Sequence, residues 1–188
     1  MSHFAVLVVG EDIAKQLQPY HEFECTGIDD QYVQEIDVTE ECKKHGLDWY
    51  GLEDKTVTNE AQIDRKNKHK YGFAIIDNKG NLVKAVNRTN PNKKWDWWTI
   101  GGRWSDYFLL KDGTRASYGL KKEIDFAETM KVCTFAVVKE SQWYEKGEMG
   151  WWAIVNNQKD LDVWRKEFHS LIENLSEETL LTIVDCHI

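Results

Sequence analysis

The stretch HFAVLVV, from His3 to Val9, is short, rich in branched apolar residues and followed by Gly10. Such a run is typical of a β-strand, and its nearly continuous apolar character indicates a central strand that is buried on both faces. A second run of this kind is LLTIVDCH, from Leu180 to His187. We predict that the two strands are antiparallel neighbours in one sheet, because both are of the buried type and helices and hairpins separate them.

Helices and hairpins fill the chain between these strands. A hairpin is indicated by two apolar runs, 71–77 and 82–86, on either side of the turn Asn78–Gly80. A helix is indicated over 159–175, where apolar residues recur at helical spacing. The order of elements predicts an α+β fold with a mainly antiparallel sheet and helices packed on one face. A ferredoxin-like arrangement with insertions is the first choice.

The length of 188 residues allows one compact domain or two small ones. With two prolines and no Ser/Gly-rich run, the composition argues against a long disordered linker. Residues 47–68 are polar and weakly patterned, which is typical of an exposed segment that tolerates changes in length. We therefore predict a single domain over residues 1–188, with an exposed excursion at about 47–68.

The composition fits a globular protein, with 41% hydrophobic and 30% charged residues. No apolar run is long enough to span a bilayer, and Met1–Phe4 leads into the first strand without the basic region of a signal peptide. We therefore expect a cytoplasmic protein that has no membrane partner. The four cysteines form no C-x-x-C pair, which argues against a zinc ribbon and fits reduced thiols.

The net charge of -8 is unevenly distributed along the chain. The segment from Arg65 to Arg103 holds ten Lys and Arg but only two Asp, whereas the remainder is strongly acidic. An acidic protein lacks the broad basic face that general DNA or RNA binding needs. The basic segment favours a local anion site, although a solvated strand face could carry the same lysines.

Four of the nine tryptophans lie within ten positions, in the stretch NPNKKWDWWTIGGRW at residues 90–104. Aromatic faces, adjacent glycines and an arginine are the parts of a pocket for a flat, anionic ligand. A nucleotide is favoured, because bases stack on aromatic rings and Arg or Lys binds phosphate. The alternative is a Trp-rich core hairpin with a glycine bulge. The candidate ligand-binding residues are Arg88, Lys93, Lys94, Trp95, Trp97, Trp98, Gly101, Gly102 and Arg103.

The ends of the two terminal strands bring a second set of candidates together. If these strands pair as predicted, His187 lies close to His3, and alternation along the strand puts Asp185 on the same face as His187. Two imidazoles and a carboxylate can bind a metal ion or share protons. His3, Asp185 and His187 are therefore candidate metal ligands. The alternative is that they are ordinary polar residues at the end of a sheet.

A third cluster of polar groups occupies the loop HEFECTG at residues 21–27. Its spacing matches no standard zinc pattern. His21, Glu22 and Glu24 could nevertheless act as acid and base if they were buried. We keep these three as catalytic candidates, with a packed loop as the alternative. No motif in the sequence identifies a cofactor.

Five phrases of the sequence are distinctive in combination. They are MSHF at 1–4, HEFECTG at 21–27, NPNKKWDWWTIGGRW at 90–104, EMGWW at 148–152 and LLTIVDCHI at 180–188. Together they resemble a family of uncharacterised proteins encoded by phages and prophages, over most of the chain except the stretch near 47–68. The resemblance implies a phage context and, by association, a role against host defence. It supplies no catalytic residues.

Three functions stay open from the sequence. The first is a phage accessory protein that binds and sequesters a small anionic ligand, such as a nucleotide or a nucleotide-derived immune signal, in the host cytoplasm. The second is a hydrolase that acts on such a nucleotide through His21, Glu22 or Glu24. The third is an acidic inhibitor that blocks a host enzyme by surface contact, which would make a host protein the partner.

Overall fold

A computed structural model describes residues 2–28, 30–129, 133–150 and 154–188. The chain forms two compact units, of which the first consists of Met1–His21 with Lys94–Ile188 and the second of Glu22–Lys93. The sequence predicts a single domain instead. The division arises because the second unit builds a sheet and buried clusters of its own.

The elements are numbered in chain order. The strands are β1 (His3–Val9), β2 (Gln34–Asp37), β3 (Thr56–Val57), β4 (Gly72–Ile76), β5 (Leu82–Thr89), β6 (Trp97–Ile100), β7 (Phe108–Leu109), β8 (Arg115–Ala116), β9 (Tyr118–Leu120), β10 (Ala136–Lys139), β11 (Gln142–Glu145), β12 (Glu148–Met149), β13 (Val155–Asn156) and β14 (Leu180–His187). The helices are α1 (Ile13–Leu17), α2 (Thr39–His45), α3 (Phe126–Thr129) and α4 (Leu161–Glu173), and short 3-10 turns include Gly102–Trp104.

The main sheet of the first unit has the strand order β11-β10-β1-β14-β6, and β9 also pairs with β14. β1 and β14 are antiparallel over their whole length, from His3 opposite His187 to Val9 opposite Leu181. The predicted pairing of the terminal strands is therefore confirmed. It follows from burial: strands that are covered on both faces can only lie in the middle of a sheet.

Two buried clusters cover the two faces of β1. Leu7 and Val9 pack with Trp164 and Phe168 of α4 on one face. Val6 and Val8 pack on the other face, in a cluster that includes Leu17 of α1. The α+β class with mainly antiparallel strands is confirmed. Helical residues, however, pack on both faces of the sheet rather than on one.

The ferredoxin-like arrangement is not confirmed. Its split βαβ units keep a third strand between two parallel strands. Here β1 and β10 are parallel and direct neighbours, with Val6 opposite Ala136. The two terminal strands are neighbours all the same, because that pairing depends on their burial and not on the order of the other strands.

The second unit contains a sheet of order β2-β5-β4-β3. The predicted hairpin forms its centre: β4 and β5 are antiparallel around a turn in which Asp77 accepts hydrogen bonds from Lys79 and Asn81. One cluster on this sheet includes Cys42 of α2 with Ala74 and Ala85. Both faces of the sheet are therefore covered.

The stretch 47–68 is exposed over most of its length, as the sequence predicts, but two of its apolar residues belong to buried clusters of the second unit. Leu52 is 1% exposed and Val57 is 8% exposed. Val57 also belongs to β3, which pairs with β4 opposite Ile75. The sequence does not predict this contribution to the core, because the apolar residues of the stretch have no regular period and range from the buried Leu52 to Trp49, which is 64% exposed. A deletion within 50–64 would remove part of the core of the second unit.

The length and polarity of the helices show whether any of them could span a membrane. Among the residues that the structure describes, no helix is long and apolar enough to cross a membrane.

Candidate functional site

Three rings lie side by side across neighbouring strands of the first unit. His3 on β1 is opposite His187 on β14, and His187 is opposite Trp97 on β6. The centroids of the two imidazoles are 5.0 Å apart with planes at 70°. The Trp97 ring stacks on His187 at 5.3 Å and 16°. The His3 and Trp97 rings also meet edge to face, with centroids 5.3 Å apart. The pairing of three strands thus builds a compact cluster of three mutually contacting rings at one end of the sheet.

Each imidazole faces its own carboxylate. The Nδ1 atom of His3 lies 2.9 Å from Oδ1 of Asp185, and Nδ1 of His187 lies 2.6 Å from Oδ1 of Asp96. An ionised carboxylate can only accept a hydrogen bond, so Nδ1 is the donor in both pairs. This fixes the tautomer and leaves Nε2 of each ring for another partner. We call these four residues the carboxylate–imidazole site.

Asp185 is held in place by the turn that contains the two glycines. It is 2% exposed, and its Oδ2 accepts a hydrogen bond of 3.0 Å from the backbone N–H of Arg103. Gly102 makes this approach possible, because its φ is +54° and a Cβ would lie 2.5 Å from Oδ2 of Asp185. The sequence predicts a direct ligand contact for Gly102, whereas the structure gives it a supporting role.

Asp96 is held from two directions. Its backbone N–H donates to the carbonyl of His187 at 2.9 Å. Its own carbonyl lies 3.0 Å from Nε2 of His21, whose ring stacks on Trp95 at 4.3 Å. Trp95 is buried and donates its indole N–H to the carbonyl of Leu17. His21 and Trp95 therefore fix the backbone next to the carboxylate of Asp96.

A cavity of about 290 Å³ borders His3 in the first unit. Trp104, Tyr107 and Lys146 are among its lining residues. Burial raises the pKa of Tyr107 far above its ordinary value, so its phenol stays neutral. The Lys146 side chain is half-buried, and no carboxylate of the described chain forms an ion pair with it. The cavity thus combines aromatic walls with one unneutralised cation.

Comparison with protein-family models, curated proteins and solved structures gives no match. The chemistry of the site is therefore argued from its geometry.

The cations that the sequence assigns to a ligand are mostly neutralised. Lys94 pairs with Glu145 at 2.6 Å in the first unit, and Lys93 pairs with Glu22 in the second unit. Arg103 is different, because its side chain is exposed and makes no ion pair within the described ranges. The placement of Lys93 and Lys94 at the rim of an anion site is therefore wrong, whereas Arg103 keeps a free guanidinium.

Arg88 is a structural residue of the second unit. Its Nη1 donates to the carbonyls of Arg65 and Lys70 at 3.0 Å, and its Nη2 lies 2.9 Å from Oδ2 of Asp30. At 7% exposed it is almost completely buried. Its guanidinium is thus occupied by structural contacts within the second unit, and Arg88 is not kept as a ligand candidate.

The remaining residues of the tryptophan segment divide between core and surface. Trp98 packs against the apolar cluster that covers one face of β1, whereas the neighbouring Trp97 is 44% exposed. Gly101 is buried, and a Cβ there would meet the hydroxyl of Ser117 at 2.5 Å. Gly101, Trp95 and Trp98 thus serve packing, as the core-hairpin alternative predicts. Trp97 and Arg103 are left as ligand candidates.

The proposed catalytic set of His21, Glu22 and Glu24 lacks the buried carboxylates that the acid–base interpretation needs. Glu22 forms an ion pair with Lys93, and Glu24 is exposed. The acid–base interpretation required buried carboxylates, and the structure does not bury either of them.

The metal interpretation of His3, Asp185 and His187 is not supported. In the described part of the chain, no group of three or more His, Cys, Asp or Glu residues could hold a metal ion. The sequence brought these three residues together correctly. It missed Asp96, which accepts a hydrogen bond from Nδ1 of His187.

The cysteines do not contribute a nucleophile. All four are free thiols, and burial raises the pKa of each one. A raised pKa keeps the thiol protonated and unreactive at neutral pH. This agrees with the reduced thiols that the sequence predicts.

Proposed function

We propose that the first unit binds a small anionic molecule that carries a flat ring, of the nucleotide type, at the carboxylate–imidazole site. The observation that carries the proposal is the position of Trp97. It is 44% exposed, and its ring contacts both imidazoles, stacking on His187 and meeting His3 edge to face. An exposed aromatic face beside hydrogen-bond donors suits a base and its phosphate.

The donors for an anion come from groups that have unused capacity. Both imidazoles engage a carboxylate through Nδ1, and no hydrogen bond to their Nε2 atoms occurs within the described residues. Arg103 follows the glycine that touches Asp185, and its guanidinium is exposed. A planar guanidinium binds phosphate through two parallel hydrogen bonds. These groups answer the negative charge of the ligand.

The cavity beside His3 offers room for the rest of the molecule. Its volume of about 290 Å³ is at the lower end of the range for small-molecule pockets. Trp104 and Tyr107 give it aromatic walls, and Lys146 gives it a positive charge. A nucleotide is favoured over a neutral sugar because cations as well as rings line the site.

The resemblance to phage and prophage proteins suggests which nucleotide is relevant. A phage protein that captures a nucleotide-derived immune signal would lower the concentration that the host receptor senses. This role needs tight binding and no turnover. The context is an association by sequence phrases, and the binding chemistry stands independently of it.

The experiment is a calorimetric titration of the intact protein with mono-, di- and cyclic nucleotides. We expect one class to bind, and Trp97→Ala to weaken its binding by roughly 5- to 150-fold, since a stacked base contributes about 1–3 kcal/mol. Trp49→Ala is the matched control, because Trp49 is also exposed but lies in the second unit. If no nucleotide binds, or if both variants bind equally well, the proposal is wrong.

A further inference from the structure

The two histidines of the carboxylate–imidazole site are built in the same way. In each, Nδ1 donates to a carboxylate and Nε2 is left unused. The carboxylates come from different places, Asp185 from β14 and Asp96 from the residue before β6. A carboxylate in this position orients the ring and fixes its tautomer. Nε2 is therefore the nitrogen of each ring that can exchange a proton with a ligand.

The two imidazoles are in edge-to-face contact, with centroids 5.0 Å apart and planes at 70°, so no group fits between them. Nε2 lies little more than one bond from the centre of its ring. The two Nε2 atoms are therefore close enough for oxygens of one phosphate, lying against the edge of the pair, to reach both. Ligand binding alone would need only donors. Two rings with separate carboxylates provide a base as well as an acid.

We propose that His3 and His187 form an acid–base pair that hydrolyses a phosphodiester bond, an inference that rests on the proposed binding of a nucleotide at this site. One imidazole is neutral and the other is protonated at the start of the reaction. His3 and His187 are then the catalytic residues. Asp96 and Asp185 are positioning residues, because they act through the rings.

The reaction needs water and no other co-reactant. The oxygen of a water molecule forms a bond to phosphorus while its proton passes to Nε2 of the neutral imidazole. The bond from phosphorus to the leaving oxygen breaks, and the protonated imidazole gives its Nε2 proton to that oxygen. The products are a phosphomonoester and an alcohol. Proton exchange with solvent returns both rings to their starting states.

The negative charge that builds up on the nonbridging oxygens needs a cation. We assign this role to Arg103, whose backbone already binds Asp185 and whose guanidinium is exposed. Fixed cations at a transferring phosphoryl group stabilise the transition state more than the ground state. The same residue can therefore contribute to binding and to turnover.

The test uses the intact protein with a linear adenine dinucleotide, a cyclic adenine dinucleotide and bis(p-nitrophenyl) phosphate. His3→Asn and His187→Asn are the informative variants. The amide nitrogen of Asn can replace Nδ1 in the hydrogen bond to the carboxylate, so the fold is kept, but Nε2 is lost. We expect each variant to lower kcat by about 10²- to 10⁴-fold, as for the loss of a general acid or base. Binding measured by calorimetry should weaken much less than kcat, by about tenfold, because one hydrogen bond from Nε2 to the charged phosphate is lost.

The p-nitrophenyl ester distinguishes the two roles. Its leaving group departs as a stable anion and needs no proton, so the variant that lacks the acid should lose much less activity on this ester than on a dinucleotide. The variant that lacks the base should lose activity on both. A chelator in every assay suppresses contaminating phosphodiesterases that depend on metal ions. His45→Asn serves as the control, because His45 is an exposed histidine of the second unit.

The outcomes separate catalysis from binding. A nucleotide that binds without forming product overturns the acid–base inference and leaves the binding proposal intact. Failure of every nucleotide to bind, together with an intact bis(p-nitrophenyl) phosphate, overturns both. Turnover that survives in the protein carrying both Asn substitutions also overturns the inference, since the chemistry would then lie elsewhere.

Discussion

The buried ionic groups of the two units are built in opposite ways. In the second unit, Arg88 donates to two backbone carbonyls and to Asp30, with a carboxylate oxygen of Glu35 3.5 Å from its Nε. In the first unit, His3 and His187 each spend one nitrogen on a carboxylate and keep the other. All the partners of Arg88 belong to the second unit itself. The arrangement in the first unit retains hydrogen-bonding capacity for a molecule that is not part of the chain.

This difference shows what identifies a binding site in a protein without informative relatives. Arg88 and Arg103 look equivalent in the sequence, since both are cations of the same basic segment. The structure separates them by their partners: both Nη atoms of the buried Arg88 donate to groups of the second unit, although its Nε forms no hydrogen bond, whereas the side chain of Arg103 is exposed and forms no ion pair within the described residues. Unused capacity at fixed polar groups is therefore a better indicator than residue type or local charge.

The largest effect on stability should come from removing a partner of Arg88 in the second unit. Asp30→Ala leaves the buried guanidinium of Arg88 without its carboxylate, and removal of one partner of a buried pair costs about 3–5 kcal/mol. We expect the free energy of unfolding to fall by that amount in urea denaturation followed by circular dichroism. The proposed nucleotide binding of the folded protein should not change. A loss below about 1 kcal/mol would mean that the pair of Arg88 and Asp30 is not formed in solution.

The dependence of stability on pH provides the control for the pair of Arg88 and Asp30. Burial alone would raise the pKa of Asp30, but hydrogen bonds from Gly27, Thr26 and Arg88 together lower it below its ordinary value. The stabilisation is thus complete above about pH 3.9, the ordinary value, and is lost as the pH falls through the folded pKa. Asp30→Asn should remove this contribution at neutral pH and flatten the loss of stability below about pH 4.

The second prediction concerns the glycine that supports the open site. Gly102→Ala should cost about 1–2 kcal/mol for the left-handed backbone and about 1–3 kcal/mol more for the clash with Asp185. Gly80→Ala is a matched control, because its φ is also positive but no atom lies within 4 Å of the added Cβ. The difference in stability between the two variants, measured by thermal unfolding, gives the cost of the clash with Asp185. Equal costs would show that Asp185 does not depend on Gly102.

Much of the carboxylate–imidazole site follows from strand physics that the sequence contains. Continuous apolar runs predict that β1 and β14 are central neighbours, and the period of two puts Asp185 and His187 on one face. His3 then falls opposite His187. This much needs no knowledge of the loops. The burial of Asp185 does need it, because the turn at Gly102 covers that carboxylate.

Other features depend on contacts that local patterns do not encode. Asp96 reaches His187 because β6 pairs with β14, and nothing in the exposed pattern of β6 specifies that neighbour. Arg88 meets Asp30 across 58 positions of the chain. The stretch 47–68 packs through isolated apolar residues without a period. In each case the partner is set by the tertiary structure. The local sequence shows only that the residue is able to form such a contact.

The smallest effect should come from changing the shape of the free cation while keeping its charge. Arg103→Lys should leave stability unchanged, because the guanidinium is exposed and forms no ion pair in the part of the chain that the structure describes. Nucleotide affinity should fall by about tenfold, or roughly 1.4 kcal/mol, since an ammonium cannot offer two parallel hydrogen bonds to a phosphate. Arg165→Lys, on the exposed face of α4, is the matched control and should bind normally. Calorimetric titration of both folded variants measures the difference. If Arg103→Lys binds as tightly as the parent protein, the guanidinium does not contact the ligand. Of Arg103 and the two imidazoles, only the imidazoles then bind it.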